Sequence, residues 1–119
     1  MASPEGLARR HRFEGRQAFS PVFAAGKRLH AGDLTLILAP AETAVSRLGV
    51  AVGRRAHAKA TVRNALKRVA REAFRRHPVR FAGLDVVILA RAVDDEPDRK
   101  RWSRALGELF GRAAQAGRQ

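Results

Sequence analysis

The segment VRNALKRVAREAFRR, residues 62–76, separates apolar from basic side chains with the period of an α-helix. At about 100° per residue, one arc carries only apolar side chains: Val62, Leu66, Val69, Ala70 and Ala73. The opposite arc is polar and carries Arg63, Asn64, Lys67, Arg68, Arg71 and Arg75. This pattern predicts an amphipathic helix that packs its apolar face on a core and presents positive charge on the other face.

The basic face of this helix is costly for the helix itself. Arg63, Lys67, Arg71 and Arg75 repeat the same charge at every fourth position, where a stable helix usually alternates signs. The N-terminal turn carries Lys59 and Arg63, although helix N-termini favour acids. Each choice costs roughly a few tenths of a kcal/mol. Most charged runs are simply solvated, but this cost favours a face that binds phosphate.

The charge of the whole chain points to the same class of partner. Lys and Arg number 24 against 11 Asp and Glu, which gives a formal net charge of +13. Such an excess repels itself in the folded state and attracts polyanions. Because the charge is spread along the chain, nucleic acid is favoured over an anionic membrane. Strands are predicted on both sides of the basic helix, which favours RNA over a helix-turn-helix that enters DNA.

Length and composition limit the other classes of protein. A chain of 119 residues predicts one domain, and the absence of cysteine excludes disulfides and thiolate metal sites. No apolar run is long enough for a membrane span or a signal-peptide core. We therefore expect a soluble, cytoplasmic protein with no membrane partner. We predict one RNA-binding domain over residues 1–119, with frayed tails at 1–11 and 115–119.

Three kinds of local pattern predict the remaining elements. Residues 15–25 predict a short helix with Phe19, Val22 and Phe23 on one face. Apolar and β-branched runs predict strands at 34–39, 47–53 and 83–90, and a short strand is possible at 27–31. A hairpin between the first two of these runs is the simplest arrangement, and the run at 83–90 is continuous enough to be buried on both faces.

A final helix follows the acidic turn at residues 93–98. Pro97 and either Asp95 or Asp98 fit the start of a helix. Its predicted apolar stripe is Trp102, Leu106, Leu109 and Ala113. The fold class is therefore α+β, a single-domain sandwich in the order α-β-β-(β)-α-β-α with a mixed sheet.

Catalytic groups of the chain's own are not indicated. The histidines His11, His30, His57 and His77 have no ligand or catalytic spacing. The acidic residues Asp94, Asp95, Glu96 and Asp98 are candidate magnesium ligands, but a charged turn before a basic helix explains them better. No phosphate loop or nucleophile motif is found. The sequence predicts a binding subunit with no catalytic and no metal-binding residues.

The stretch RLGVAVGRR followed by KATVRNALKRVAREAFR resembles the protein subunit of bacterial ribonuclease P. That family carries Arg-Asn-Arg, then Lys-Arg, Arg-Glu and an aromatic-Arg. This chain has the corresponding pairs Arg63-Asn64, Lys67-Arg68, Arg71-Glu72 and Phe74-Arg75 at the same spacing. Two basic residues follow a strand in the family, as Val52-Gly53-Arg54-Arg55 do here. The resemblance extends to the N-terminal helix and to the strand GLDVVILAR.

The resemblance implies a fold, a function and a set of site residues. The expected fold is an α/β sandwich with a left-handed βαβ crossover. The expected function is binding of a large catalytic RNA, which removes the 5′ leader of precursor tRNA with magnesium held mainly by RNA. Expected partners are the catalytic RNA and precursor tRNA, without an obligate protein partner. The implied RNA-binding residues are Arg54, Arg55, Lys59, Arg63, Asn64, Lys67, Arg68 and Arg71. The implied leader cleft, between the N-terminal helix and the sheet, contains Phe19, Phe23, Arg12 and Val52.

The chain departs from the family pattern at three places. Ala65 replaces the second Arg of Arg-Asn-Arg, and the connector RRAHAKA lacks the usual glycine. The strand that often presents an aromatic to the leader has Leu36 and Ile37 instead. The alternative function, from a different class, is a structural RNA-binding protein of ribosome-assembly type, which composition alone does not distinguish.

Overall fold

The fold is a four-stranded sheet with two long helices, seen in a computed structural model that describes residues 26–42, 44–93 and 98–117. The strands are β1 (Lys27–Ala31), β2 (Leu34–Pro40), β3 (Arg47–Ala51) and β4 (Leu84–Ala90). The helices are α1 (Ala60–Arg76) and α2 (Arg99–Gly117), with a short 3-10 helix at Pro78–Phe81. The predicted N-terminal helix, with Phe19 and Phe23, lies outside the described residues.

The sheet has the strand order β1-β2-β4-β3. β1 pairs antiparallel with β2 through a two-residue loop in which Gly32 has a φ of +60°, a conformation that glycine adopts without strain. This hairpin confirms the predicted strand at residues 27–31. β2 pairs antiparallel with β4, and β3 pairs parallel with β4, so the sheet is mixed, as predicted.

The predicted hairpin between the second and third strands is wrong, because β4 lies between β2 and β3. The chain after β2 is held along the start of β4 instead of turning back on itself. The Ala41 N–H donates to the Gly83 carbonyl at 2.8 Å, and the Ser46 N–H donates to the Arg80 carbonyl at 2.8 Å. The central position suits β4, since its first five residues are all buried, as the continuous apolar run predicted.

The main core lies between the sheet and the two helices. Alternate residues of the strands point to this side and pack against α1 and α2. Its fully buried side chains include Leu36, Leu66, Phe74, Val86, Ile88, Leu106 and Phe110. Phe74 of α1 and Phe110 of α2 meet edge to face, with ring centroids 5.6 Å apart. α1 connects the parallel neighbours β3 and β4, so the expected βαβ unit is present. The left-handedness of this crossover stays a prediction.

The predicted apolar stripe of α2 is confirmed. Leu106, Leu109 and Ala113 are fully buried, and Trp102 is half-buried against the same core. Asp98 precedes the first residue of α2 and caps it, because its Oδ1 accepts from the backbone N–H groups of Lys100 and Arg101 at 3.0 and 3.1 Å.

α2 extends further towards the C-terminus than the sequence predicted, and its last residue lies against Leu84 of β4. Residues 115–117, assigned to a frayed tail from sequence, belong to this helix. Its last residue, Gly117, lies so close to Leu84 that a Cβ there would stand 2.9 Å from Leu84 Cδ2. Only glycine permits this approach without a shift of the neighbouring side chain.

The other face of the sheet forms a second, smaller apolar cluster. Ile37 and Val87 are completely buried, and Ala39, Ala51 and Leu89 pack beside them. Leu36, the neighbour of Ile37, points instead to the main core. Of the two residues that replace the family's aromatic, only Ile37 therefore belongs to this second face. No helix within the described residues is long and apolar enough to cross a membrane.

Candidate nucleic-acid interface

Both long helices begin at the same end of the sheet, where the strands β3 and β4 finish. β3 and β4 are parallel, so their carboxyl ends lie together, and each is followed by a helix. The Val93 N–H donates to the Ala56 carbonyl at 3.0 Å, which joins the segment after β4 to the connector before α1. Neither helix has an acidic residue in its first turn. The Asp98 carboxylate accepts from backbone N–H groups at the start of α2, whereas the positive end of the α1 dipole lies beside Lys and Arg side chains with no acid in its first turn.

The predicted RNA-binding residues all belong to the connector before α1 or to α1 itself. The exposed ones are Arg54, Arg55, Lys59, Asn64, Arg68 and Arg71. Arg63 and Lys67 are half-buried. We call this set, from Arg54 to Arg71, the α1 basic surface. A surface of this charge, with planar guanidinium groups and one amide, suits the phosphates and sugars of a folded RNA.

Arg63 differs from the other members of the surface. Its Nη1 donates to the carbonyl oxygens of His57 at 3.0 Å and of Ala58 at 2.8 Å. The buried residues of α1 are Leu66, Ala70 and Phe74, and at about 100° per residue Arg63 falls within their arc. The prediction that Arg63 lies opposite the core is therefore corrected. The hydrogen bonds from Arg63 hold the connector against α1, a role that was not predicted. The spacing of seven residues between Arg63 and Ala70 could have indicated that both lie on the same face of the helix.

The connector is ordered by a second local contact. The Lys59 N–H donates to His57 Nδ1 at 3.0 Å, which requires an unprotonated nitrogen at that position. Lys59 is the N-cap residue of α1, and no side chain caps this helix end. The amide groups of the first turn are thus available to an external acceptor, and phosphate oxygens are acceptors of this kind.

The positive charge of α1 is not uniform along its length. Near the C-terminal end, Glu72 accepts from Arg75 Nη2 at 2.5 Å and lies 2.9 Å from Arg76 Nε. The hydrogen bond from Arg75 and the nearby positive charges hold the pKa of Glu72 below its ordinary value. Lys67 and Arg68, nearer the N-terminal end, have no ion-pair partner within the described part of the chain. The uncompensated charge is therefore concentrated in the N-terminal half.

Of the residues assigned to a leader cleft, Val52 lies within the described part of the chain. Phe19, Phe23 and Arg12 lie outside the described residues. Val52 is 7% exposed and packs in the main core beside the helices, so it offers little surface to a ligand. The second face of the sheet, with Ile37 and Val87, ends at a pair formed by Arg47 and Asp85.

Within residues 26–42, 44–93 and 98–117, no group of three His, Cys, Asp or Glu side chains is placed to hold a metal ion. His30, His57 and His77 each bond to a different partner, namely Thr35, Lys59 and Val79. Of the acidic turn, Asp98 caps α2, whereas Asp94, Asp95 and Glu96 lie outside the described residues.

Comparison with known proteins gives one consistent result. The family model described as Ribonuclease P matches residues 7–114. The ribonuclease P protein component of Azoarcus sp. is 34% identical, over 97% of this chain and 99% of its own length. That of Microcystis aeruginosa is 35% identical, over 91% of this chain and 94% of its own length. The solved RNase P protein from Thermotoga maritima is 30% identical with a TM-score of 0.70, over 85% of this chain and 96% of its own. The RNase P protein of Staphylococcus aureus, 21% identical, shares the fold with a TM-score of 0.77, over 87% of this chain and 94% of its own.

Proposed function

This chain belongs to the ribonuclease P protein family, and from that premise we propose that it is the protein subunit of a ribonucleoprotein that matures the 5′ ends of tRNAs. The observation that carries the proposal is the α1 basic surface, which includes the N-terminus of a helix with no acid in its first turn and no side-chain cap. Such a surface is unfavourable in the isolated protein and becomes favourable when phosphates neutralise it.

In this proposal the protein binds and positions, and the partner RNA supplies the catalytic centre. Arg54, Arg55, Lys67, Arg68 and Arg71 contact phosphates of the catalytic RNA, and Asn64 donates to a sugar or phosphate oxygen. Arg63 contributes indirectly as well, because its hydrogen bonds hold the His57 and Ala58 carbonyls and so fix the connector that carries Arg54 and Arg55. Ala65 stands where the family has a further Arg, so this position supplies no cation to the RNA.

The 5′ leader is proposed to lie along the second face of the sheet. The assignment of Phe19, Phe23 and Arg12 to this cleft rests on the family resemblance. Val52, being buried, supports the end of β3 from within the core and does not touch the leader. Ile37 is aliphatic and completely buried, so we propose neither base stacking nor a direct leader contact from this side chain.

Magnesium, held mainly by the RNA, would supply the charge stabilisation for hydrolysis of the phosphodiester bond. The chain's own residues contribute positive charge that lowers the repulsion between the two RNAs as they approach. Asp98 accepts from two backbone N–H groups of α2, so we do not propose it as a magnesium ligand.

Reconstitution tests the proposal directly. Precursor tRNA is incubated with magnesium and with the protein alone, the ribonuclease P RNA of the same genome alone, or both. We expect no cleavage by protein alone, and faster leader removal by both than by RNA alone at low magnesium. Cleavage by nuclease-treated protein alone, or an RNA rate unaffected by the protein, would contradict the proposal. The ribosome-assembly alternative has no specific observation in its favour, since the family match accounts for the chain's basic character.

Leader binding is tested separately by the ratio of affinities for precursor and mature tRNA in the reconstituted particle. Phe19→Ala or Phe23→Ala should lower affinity for precursor tRNA by about 1–3 kcal/mol per stacked base and leave mature tRNA unaffected. If both variants keep the wild-type ratio and only lose stability, by about 3–5 kcal/mol, the two rings belong to the core.

A further inference from the structure

A groove between α1 and α2 lies beside the α1 basic surface, on the flank of α1. Two rows of residues with a four-residue spacing face each other across it. Arg68, Glu72 and Arg76 form the row on α1. Arg99, Ser103 and Gly107 form the row on α2. The groove has a volume of about 460 Å³, within the range of sites that hold a nucleotide-sized ligand.

The floor of the groove is apolar and already formed. Val69 and Ala73 of α1 are half-buried there, next to the ring of His77. Gly107 leaves the α2 side open, because a Cβ built on it meets no atom within 4 Å. A flat apolar group, such as the face of a nucleobase, fits a floor of this kind without displacing protein atoms.

The rim of the groove is positively charged. Arg68 and Arg99 have no ion-pair partner within the described residues, and the single acid, Glu72, is already bound to Arg75 and Arg76. Beyond Arg99 and Ser103 the basic rim continues over a shallow depression that also contains Lys100 and Arg104. An anionic chain that lies on Arg68 can therefore continue along Arg99, Lys100 and Arg104 of α2.

We infer that this groove binds an unpaired stretch of RNA, with one base on the apolar floor and the flanking phosphates on Arg68 and Arg99. Charge and continuity favour RNA, since Arg68 belongs both to the α1 basic surface and to the groove. A base free to lie on the apolar floor is a feature of single strands and loops, whereas the bases of a duplex are paired and stacked. The inference rests on the proposed function and adds a second contact surface, formed largely by α2.

The absence of cysteine makes a site-directed crosslinking test simple. Ser103→Cys places a photo-crosslinker in the groove, and Asn64→Cys places one on the α1 basic surface. Each labelled protein is bound to the ribonuclease P RNA of the same genome, with and without precursor tRNA, and crosslinked nucleotides are mapped. We expect both positions to crosslink, and Ser103→Cys to reach unpaired nucleotides.

Gly107→Leu provides the blocking variant, and Gly111→Ala is its control on the same helix. Leucine at 107 fills the open groove and raises helix propensity, so the protein should not lose stability. We expect the Ser103→Cys crosslink to fall at least fivefold and the Kd for the RNA to rise about tenfold. Gly111→Ala should change neither, because its Cβ makes only an ordinary contact, 4.0 Å from His77 Nε2.

The possible outcomes separate the inference from the proposed function. Crosslinking at Asn64→Cys without crosslinking at Ser103→Cys would overturn the groove and leave the proposed function standing. No crosslinking at either position would overturn both. Crosslinks from Ser103→Cys that map only to paired helices, or that survive Gly107→Leu undiminished, would also overturn the inference of an unpaired strand in the groove.

Discussion

Arg47 and Asp85 are register partners across the parallel strands β3 and β4, and two parallel hydrogen bonds join their side chains. Arg47 Nε donates to Asp85 Oδ1 at 2.9 Å, and Nη2 donates to Oδ2 at 2.8 Å. The Asp85 side chain is 10% exposed, so the Arg47 guanidinium stabilises the charged carboxylate in place of most of the water that it has lost. The hydrogen bond to Asp85 raises the pKa of Arg47 above its ordinary value.

Replacing Arg47 with alanine should destabilise the fold. The change leaves the Asp85 carboxylate nearly buried without its guanidinium, which should lower the free energy of unfolding by about 1.5–3 kcal/mol. A urea melt measures this effect. Arg101→Ala removes an equal charge from an exposed position and should change stability by less than about 0.5 kcal/mol. Equal midpoints for the two variants would show that the pair across β3 and β4 contributes nothing.

Removing a basic side chain from the exposed part of α1 should weaken RNA binding without unfolding the protein. For Lys67→Ala and Arg68→Ala we expect the slope of log K against log salt to become shallower by about 0.7–0.9 for each phosphate that the variant no longer neutralises. Titrations of the catalytic RNA at several salt concentrations measure it. Arg112→Ala is the control, because the Arg112 Nη1 donates to the His30 carbonyl of β1. A salt slope equal to that of wild type would place the RNA elsewhere.

Arg63 should behave differently from Arg68. Arg63→Ala removes two hydrogen bonds to backbone carbonyls, so it should lower both RNA affinity and the free energy of unfolding, the latter by about 1 kcal/mol. Arg68→Ala should lower affinity alone. Urea melts and RNA titrations on the same preparations separate the two effects. If Arg63→Ala is as stable as wild type, the contacts to His57 and Ala58 do not hold the connector in solution.

The stability of the protein should fall in mild acid through His77. Burial lowers the pKa of His77, and its Nδ1 accepts from the Val79 N–H at 3.0 Å. In the unfolded chain the imidazole takes a proton near pH 6.5. The unfolded state therefore binds more protons, and the free energy of unfolding decreases as pH falls from about 6.5 towards the lower pKa of the folded state.

Urea melts of the His77→Asn variant at about pH 8 and about pH 5 test this effect. Asparagine can still cap the 3-10 helix but does not titrate, so part of the acid sensitivity should disappear. His30→Asn, at an exposed position, is the control for a histidine-to-asparagine change. Identical pH profiles for wild type and His77→Asn would rule out this histidine as the source.

Ser46 should be required for stability and not for RNA binding. Its buried hydroxyl donates to the Val79 carbonyl at 2.6 Å and accepts from the Leu84 N–H at 2.9 Å. Ser46→Ala leaves the Leu84 N–H without its hydroxyl acceptor, at a cost of about 1–3 kcal/mol, whereas the Val79 carbonyl still accepts from the Ala82 N–H at 3.0 Å. Ser103→Ala, at an exposed position, is the matched control in a thermal or urea melt. Equal stability of the two variants would mean that water replaces the Ser46 hydroxyl.

Local patterns in the sequence determined α1, α2 and most of the strands. The period of Trp102, Leu106 and Leu109 predicted the buried stripe of α2, and the unbroken run at 83–90 predicted a strand buried on both faces. These predictions succeed because side chains three, four or two positions apart share a face whatever the rest of the chain does. The charge of the α1 basic surface was equally visible, since like charges on one helix repel in any fold.

Only the tertiary structure decided the strand order and the partners of particular side chains. β4 displaces β3 from the side of β2 because pairing depends on which strand best fills the buried centre of the sheet, a competition between distant segments. Arg47 bonds to Asp85, 38 residues away, because β3 and β4 are neighbours in the sheet. The groove likewise exists only where α1 and α2 lie side by side, so neither row of residues identifies it alone. Distances of this kind depend on packing among residues far apart in sequence, and no local period records them.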